Sequence, residues 1–284
     1  MASVSSQASV SSPASVSSQA SIIVGKKYKL LKKIGEGSFG KIYLASALYS
    51  ASALDSADAN RLAIKISTDH ALVKHEVEIY ETLKDIKNVP SLFTSGTEGK
   101  FSYLVLELLE KNLEQLVAEY GSFQEKVLTH LGIQMLKIIE NIHARGIIHS
   151  DIKPANFLLK TNAQNISELY LIDFGLASRY IHRPCLTDAQ LIGTVRYMSL
   201  NIHKNLTASR RDDIESLGYT LMYLHQGQLP WQNKRDLLEI IHLKEKFQPD
   251  MDELWVFVRY GRKLDFNAQP NYAYLRGLLE LKMI

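Results

Sequence analysis

One polar stretch constrains this 284-residue chain more than any other: it is His149-Ser150-Asp151-Ile152-Lys153-Pro154-Ala155-Asn156. Asp151 can accept the proton of an attacking hydroxyl group, and the amide oxygen of Asn156 can bind a magnesium ion. Lys153 would place a positive charge beside a transferred phosphate. The alternative is an ordinary turn, since Asp, Pro and Asn are all common in turns.

Three further motifs accompany this stretch in a fixed order. Asp173-Phe174-Gly175 follows the apolar run 169–172, which predicts a buried strand that ends beside a carboxylate. Upstream lies the glycine-rich segment 35–42, whose glycines would let the backbone approach phosphate groups while Phe39 shields them from water. Lys65 then stands inside an apolar strand, where a lysine needs a partner. Four such motifs in order are far more specific than the glycine pattern alone.

Composition limits the class of protein. The length allows one large domain or two lobes with separate cores, and 46% apolar residues is typical of a globular protein. A net charge of +3 argues against a dedicated nucleic-acid binder, and no apolar run reaches the roughly 18 residues that span a bilayer. A single cysteine, Cys185, suits a reducing compartment. We therefore expect a cytoplasmic protein, with a nuclear location as a further expectation.

The first 21 residues repeat a unit of Ala, Ser, Val and Gln or Pro, without any charged or aromatic side chain. Such a segment buries too little surface to offset its ordering entropy, so a disordered tail is predicted over residues 1–21. It has neither the apolar core of a secretory signal nor the arginines of a transit peptide.

Local patterns predict the elements around the motifs. Alternation favours a strand over residues 28–34, and an apolar run favours another over 101–109. Residues 46–60 are rich in Ala, Ser and Asp and are interpreted as a loop. Residues 122–125 have the form of a capping box that begins a long helix, and Gly146 marks where that helix ends.

A second helix is predicted over residues 70–83 from its apolar stripe. It offers Glu76, Glu78 and Glu81 as partners for Lys65. Glu76 lies between apolar positions of the stripe, which favours it over Glu78; the alternative for each glutamate is a solvated surface residue.

The four motifs together resemble the signature set of eukaryotic protein kinases, with Ile42 where the pattern usually has Val. The resemblance implies an α+β, bilobal fold over residues 22–284. A small antiparallel β-sheet lobe with one main helix would occupy residues 22–106, a hinge 107–110, and a larger, mostly helical lobe 111–284.

The same resemblance implies ATP and Mg²⁺ as cofactors. Lys65, paired with Glu76, would contact the nucleotide phosphates, while Asn156 and Asp173 would hold the metal. Leu106 would be the gatekeeper, and the backbone of two hinge residues would bind adenine. The nucleotide site implied in this way comprises Ile34, Gly35, Glu36, Gly37, Ser38, Phe39, Gly40, Ile42, Ala63, Lys65, Leu106, Glu107, Leu109 and Leu159.

The C-terminal part departs from most protein kinases, with Ser199-Leu200-Asn201 where Ala-Pro-Glu is usual. Segments 153–159, 209–219 and 228–232 are similar to the casein kinase 1 family. This narrower resemblance implies phosphorylation of serine or threonine in protein substrates that carry acid or phosphate three residues upstream. Asp213 resembles the buried aspartate that braces the catalytic loop of kinases.

A preference for anionic substrates requires a basic pocket, for which arginine forks are well suited. Arg196 matches the pocket arginine of the family, Gly227 and Arg235 match its other positions, and Lys234 is adjacent. The alternative for Lys234 and Arg235 is a solvated helix start.

Ser150 replaces the usual arginine of His-Arg-Asp, which in many kinases pairs with a phosphate on the activation loop. We therefore expect activity without phosphorylation of the loop at 175–193. His149, bracketed by isoleucines, is interpreted as a structural residue that bonds near Asp173. Cys185 is interpreted as an incidental loop thiol.

Two other classes of function are compatible with parts of the sequence. A pseudokinase or scaffold would account for Ser150, although the expected polar residues are all present. A small-molecule phosphotransferase can share a His-x-Asp loop, but the complete glycine loop argues against it. A monomer is the expected state.

Overall fold

The computed structural model describes residues 22–37, 39–48, 61–162, 164–182, 184–247 and 253–281. The predicted tail, most of the predicted loop at 46–60, and Ser38 lie outside the described residues. None of the helices in the described part of the chain is long and apolar enough to cross a membrane.

The N-terminal part forms one antiparallel sheet of six strands. Their order across the sheet is β1-β2-β3-β4-β6-β5. Strands that follow one another in the chain are neighbours in the sheet, except β4 and β5, which a helix connects. The strands are β1 (Ile23–Val24), β2 (Tyr28–Gly37), β3 (Gly40–Ala47), β4 (Arg61–Ser67), β5 (Leu92–Glu98) and β6 (Phe101–Glu107).

The predicted helix α1 is observed over His70–Leu83. It begins because Asp69 accepts a hydrogen bond from the backbone N–H of Leu72 at 2.9 Å. Its apolar stripe is buried, and Tyr80 packs edge-on against Phe174 with ring centroids 5.1 Å apart. The helix thus belongs to the same core as the C-terminal lobe.

The C-terminal part is mostly helical, which confirms the predicted α+β fold. Two small strand pairs, β7 with β10 and β8 with β9, carry the loops of the site. The elements are α2 (Leu113–Tyr120), α3 (Glu125–Ala144), β7 (Ile147–Ile148), β8 (Phe157–Thr161), β9 (Ser167–Leu171), β10 (Ser178–Arg179), α4 (Leu200–His203), α5 (Arg210–Gln226), α6 (Leu237–Lys246), α7 (Glu253–Lys263) and α8 (Tyr272–Leu281).

The strand predicted over residues 101–109 is observed, but it ends at Glu107. One local prediction was wrong. The capping box at 122–125 does not form: the residue before α3 is Gln124, which makes no side-chain cap bond. The backbone N–H of Phe123 instead donates to Leu224 O at 2.8 Å, so contact with α5 fixes the entry to this helix. Its predicted end at Gly146 is confirmed, with φ 70° just beyond Arg145.

Helices α5 and α7 cross closely at two glycines. A Cβ on Gly218 would lie 2.6 Å from Val258 Cγ2, and one on Gly261 would lie 2.8 Å from both Arg211 O and Glu215 N. Because backbone atoms cannot move aside, Gly261 requires glycine, whereas a side chain at Gly218 would force the Val258 side chain to shift.

Candidate active site

A cavity of about 850 Å³ lies between the sheet and the helical lobe. Of the fourteen residues predicted for the nucleotide site, the thirteen that the structure describes all line it. The glycine-rich β2–β3 turn, the inner face of β4 and the chain after β6 supply most of the lining. The lining also includes residues that sequence reasoning did not select, among them Leu44, Tyr80, Pro90, Asn112 and Leu158.

Lys65 connects two carboxylates at the inner end of this cavity. Its Nζ donates to Glu76 Oε1 and Oε2 at 2.9 and 2.8 Å, and to Asp173 Oδ1 at 2.7 Å. Burial alone would lower the pKa of Lys65, but the two carboxylates raise it above its ordinary value. Lys65 in turn holds the pKa of Asp173 below its ordinary value, against the effect of burial. Burial raises the pKa of Glu76 above its ordinary value, although Lys65 opposes this effect.

The predicted pairing of Lys65 with Glu76 is observed. Glu76 is 1% exposed, because it lies on the side of α1 that faces the sheet and the cavity. Glu78 and Glu81 are exposed on the outer side of the same helix. The spacing of apolar residues in the sequence therefore distinguished Glu76, which is buried, from the exposed Glu78 and Glu81.

The hairpin of β8 and β9 brings the two predicted metal ligands together. Phe157 pairs with Leu171, so Asn156 lies opposite Ile172, whose N–H donates to Asn156 O at 3.0 Å. Asp173 follows directly, with a left-handed φ of 64°.

Asn156 and Asp173 both line the cavity, and their donor set fits a magnesium ion. The Asn156 Nδ2 donates to Asp151 O at 2.9 Å, which leaves the amide oxygen for a cation. The carboxylate of Asp173, whose pKa Lys65 holds below its ordinary value, is a second oxygen ligand for such a cation.

Asp213 holds the backbone of the loop that carries Asp151. Its carboxylate accepts from the backbone N–H of His149 at 2.8 Å and of Ser150 at 2.9 Å, and it also contacts His143 Nε2 at 2.9 Å. Ser150 has a left-handed φ of 68°, so these bonds hold a strained turn. The predicted bracing contact is thus observed.

His149 has the structural position that was expected. Its Nδ1 accepts from Asp151 N–H at 3.2 Å, and its Nε2 donates to Ile172 O at 3.0 Å. The ring also packs edge-on against Phe174. His149 therefore ties the loop that carries Asp151 to the strand end that carries Asp173.

Asp151 is 5% exposed and is bonded to Lys153, which lines the cavity. Lys153 Nζ donates to its Oδ2 at 2.6 Å, and Thr194 donates to its Oδ1 through N–H at 2.9 Å and Oγ1 at 2.7 Å. Lys153 also donates to Thr194 Oγ1 at 2.9 Å. Sequence reasoning did not select Thr194.

A smaller cavity of about 370 Å³ adjoins Lys153 and Thr194. It brings together two of the four residues predicted for the anion pocket, Arg196 and Lys234. Gly227, which ends α5 with φ 75°, and the exposed Arg235 are not among the described residues that line it.

Carboxylates already accompany both cations of the smaller cavity. Arg196 Nη1 is 3.7 Å from Glu114 Oε1, and Lys234 Nζ is 2.5 Å from Glu239 Oε1. Glu114 itself lines the cavity. A bound anion would therefore have to compete with these groups.

The chain matches one family model, described as the protein kinase domain, over residues 28–264. It therefore belongs to the protein kinase family, as the motifs predicted, and its class is that of a phosphotransferase with protein substrates. Members of this class use ATP and Mg²⁺.

Proposed function

We propose that this protein is a serine/threonine protein kinase of the casein kinase 1 type, which transfers the γ-phosphate of ATP in the presence of Mg²⁺. One observation carries the proposal: a lysine that joins two carboxylates lies in a nucleotide-sized cavity, and a second lysine that lines this cavity, Lys153, is bonded to Asp151. A nucleotide, a metal and an acceptor hydroxyl each have a matching group there.

Each side chain then has a chemical task. Asp151 orients the acceptor hydroxyl and receives its proton, while Lys153 places positive charge beside the transferred group. Lys65, held by Glu76, positions the nucleotide phosphates. Mg²⁺, when bound by Asn156 and Asp173, would neutralise phosphate charge.

The casein kinase 1 assignment rests on the C-terminal sequence and on the smaller cavity. Arg196 lies beside Lys153 in that cavity, so an anionic group of a peptide bound there would be near the transfer site. We propose that acidic or phosphorylated residues upstream of the acceptor bind at Arg196 and Lys234. Because both cations are already accompanied by carboxylates, the preference should be modest.

We also propose that the enzyme is active without phosphorylation of its activation loop. Ser150 offers no charge for a loop phosphate, and Asp213 already anchors its backbone. Treatment with a phosphatase before the assay should leave activity unchanged, and loss of activity would contradict this part of the proposal.

The deciding experiment measures radiolabel transfer from ATP to two matched peptides, one with phosphoserine three residues before the acceptor serine and one with alanine there. Faster transfer to the primed peptide, with the difference lost in Arg196→Ala, would support both the kinase type and the pocket. Equal rates would retain the kinase and remove the pocket. Transfer to neither peptide nor casein would favour a scaffold.

A further inference from the structure

The segment 194–198 connects the transfer site to the smaller cavity. Thr194 bonds to the catalytic aspartate, and Arg196 lines the cavity two residues later. Both side chains can act only if the backbone between them is fixed. This chain has no Ala-Pro-Glu sequence after the segment, so other contacts must fix it.

Lys244, on α6, supplies two of these contacts. Its Nζ donates to Val195 O at 2.8 Å and to Met198 O at 2.7 Å, and lies 3.1 Å from His203 Nε2. The side chain is 0% exposed. A lysine is tolerated at such a depth only when its amino group is hydrogen-bonded, so these contacts account for its burial.

Trp231 supplies a third contact to the same backbone. Its Nε1 donates to Arg196 O at 2.8 Å. Lys244 Nζ lies 5.4 Å from the centre of the Trp231 ring and 4.9 Å from the centre of the Tyr219 ring. The two donors therefore form one unit that binds three carbonyls within four consecutive residues.

Lys244 is itself fixed from the other side. Arg262, on α7, donates to Lys244 O at 2.8 Å and through Nε to Glu215 Oε1 at 3.1 Å. Glu215 Oε1 also accepts from Leu200 N at 3.1 Å. The backbone before and within the position of the missing Ala-Pro-Glu is thus bound to α5 and α6, and Arg262 of α7 binds both of these helices.

We propose that Lys244 and Trp231 are positioning residues for the protein substrate: by binding the carbonyls of residues 195, 196 and 198, they fix Thr194 and Arg196 for binding of the acceptor peptide. This inference rests on the proposed kinase function and deepens it. Neither residue touches the nucleotide cavity, so their effect should fall on the peptide and leave ATP binding alone.

The experiment compares Lys244→Met and Trp231→Phe with the wild type. Each variant keeps most of the buried volume and removes the donor, which leaves buried carbonyls unpaired. We expect the KM for the primed peptide to rise about tenfold, as for loss of a strong hydrogen bond, with the KM for ATP changed by less than about twofold. Leu279→Ala, a buried change in α8, controls for general loss of stability.

A second readout needs no activity. Hydrogen–deuterium exchange should accelerate at the amides of Tyr197 and Met198 in both variants, whereas the amides around Lys65 keep their protection. In Leu279→Ala, no such selective acceleration is expected. The thermal shift caused by Mg²⁺ and ATP should be the same in all four proteins.

The outcomes separate the two proposals. An unchanged peptide KM with unchanged exchange at residues 197 and 198 overturns the positioning role, as does a rise in both KM values that Leu279→Ala reproduces. If the wild type transfers no phosphate but binds ATP, the proposed function fails, and the exchange measurement alone decides whether Lys244 and Trp231 hold the segment.

Discussion

The nucleotide side and the acceptor side of the site are held in different ways. On the nucleotide side, Lys65 binds the side chains of Glu76 and Asp173. On the acceptor side, Lys244 and Trp231 bind backbone carbonyls. A side-chain pair requires particular residues at both ends and so leaves a motif, whereas every residue has a carbonyl. The comparison shows why one half of a site can be recognised in a sequence while the other half remains inconspicuous.

The largest expected effect comes from the point where the two sides meet. Asp151→Ala removes the group that would receive the acceptor proton and should lower kcat by roughly two to four orders of magnitude. The thermal shift with ATP should persist, because Asp151 is not among the residues that line the nucleotide cavity. Steady-state kinetics and calorimetry would check both; a loss of kcat below about threefold would contradict the role.

A substitution that removes the Lys65–Glu76 pair should have a smaller effect, and this effect should fall on ATP and not on the peptide. Glu76→Gln leaves the buried Lys65 without its bidentate partner, so we expect kcat/KM for ATP to fall by about ten- to a hundredfold. The peptide KM should stay constant. The matched control is Glu78→Gln, an exposed change on the same helix. Equal losses in both variants would show that the pair has no special role.

On the acceptor side, the buried Lys244 should make the stability of the protein depend on pH. Burial lowers the pKa of Lys244 from 10.5 to about 7. Between these values the unfolded chain holds a proton that the folded chain has released, so stability rises with pH across this window. Of the charged groups that face Lys244, Glu215 raises this pKa and Arg262 lowers it, while burial lowers the pKa of His203 to about 3 and keeps it neutral.

Urea unfolding at several pH values would measure this effect. From pH 7 upward, the free energy of unfolding of the wild type should increase relative to Lys244→Met by up to about 1 kcal/mol per pH unit. Parallel pH profiles for the two proteins would contradict the prediction. A neutral amine still has two N–H donors for its two carbonyls, so the peptide KM should not follow this change.

The smallest effect is expected at the rim of the acceptor side. Glu114→Gln frees Arg196 from an exposed ion pair and should lower the KM for the primed peptide by less than about threefold, since such pairs are weak. The KM for the alanine peptide should not change. Glu119→Gln, on the same helix but paired with Lys111, is the control. A higher KM for the primed peptide would show that Glu114 assists binding.

The sequence allowed the fold to be predicted because its elements depend on local patterns. The stripe of α1 even separated Glu76 from Glu78, since only one of them lies between buried positions. The capping box before α3 failed for the opposite reason: a contact with Leu224, about a hundred residues away, overrides the local signal. Such contacts have no signature in a short window of sequence.

The candidate site divides in the same way. The nucleotide residues were selected from motifs, and the described ones line a single cavity. Thr194, Glu114 and Lys244 were not selected, because a threonine, a surface glutamate and a lysine in an amphipathic helix are unremarkable in a sequence. Their roles become visible only in the folded chain, where Thr194 bonds to Asp151, Glu114 pairs with Arg196, and Lys244 binds a backbone carbonyl of the segment 194–198.

The close crossing of α5 and α7 at Gly218 and Gly261 has a consequence for the distant acceptor side of the site. Gly261 precedes Arg262, the residue that reaches both Glu215 and the backbone of Lys244. A methyl group at Gly261 would push α7 away from α5 and draw Arg262 out of reach of both. In the proposed positioning role, the spacing of these two helices would affect the binding of the acceptor peptide, so we expect a substitution at Gly261 to change substrate selection.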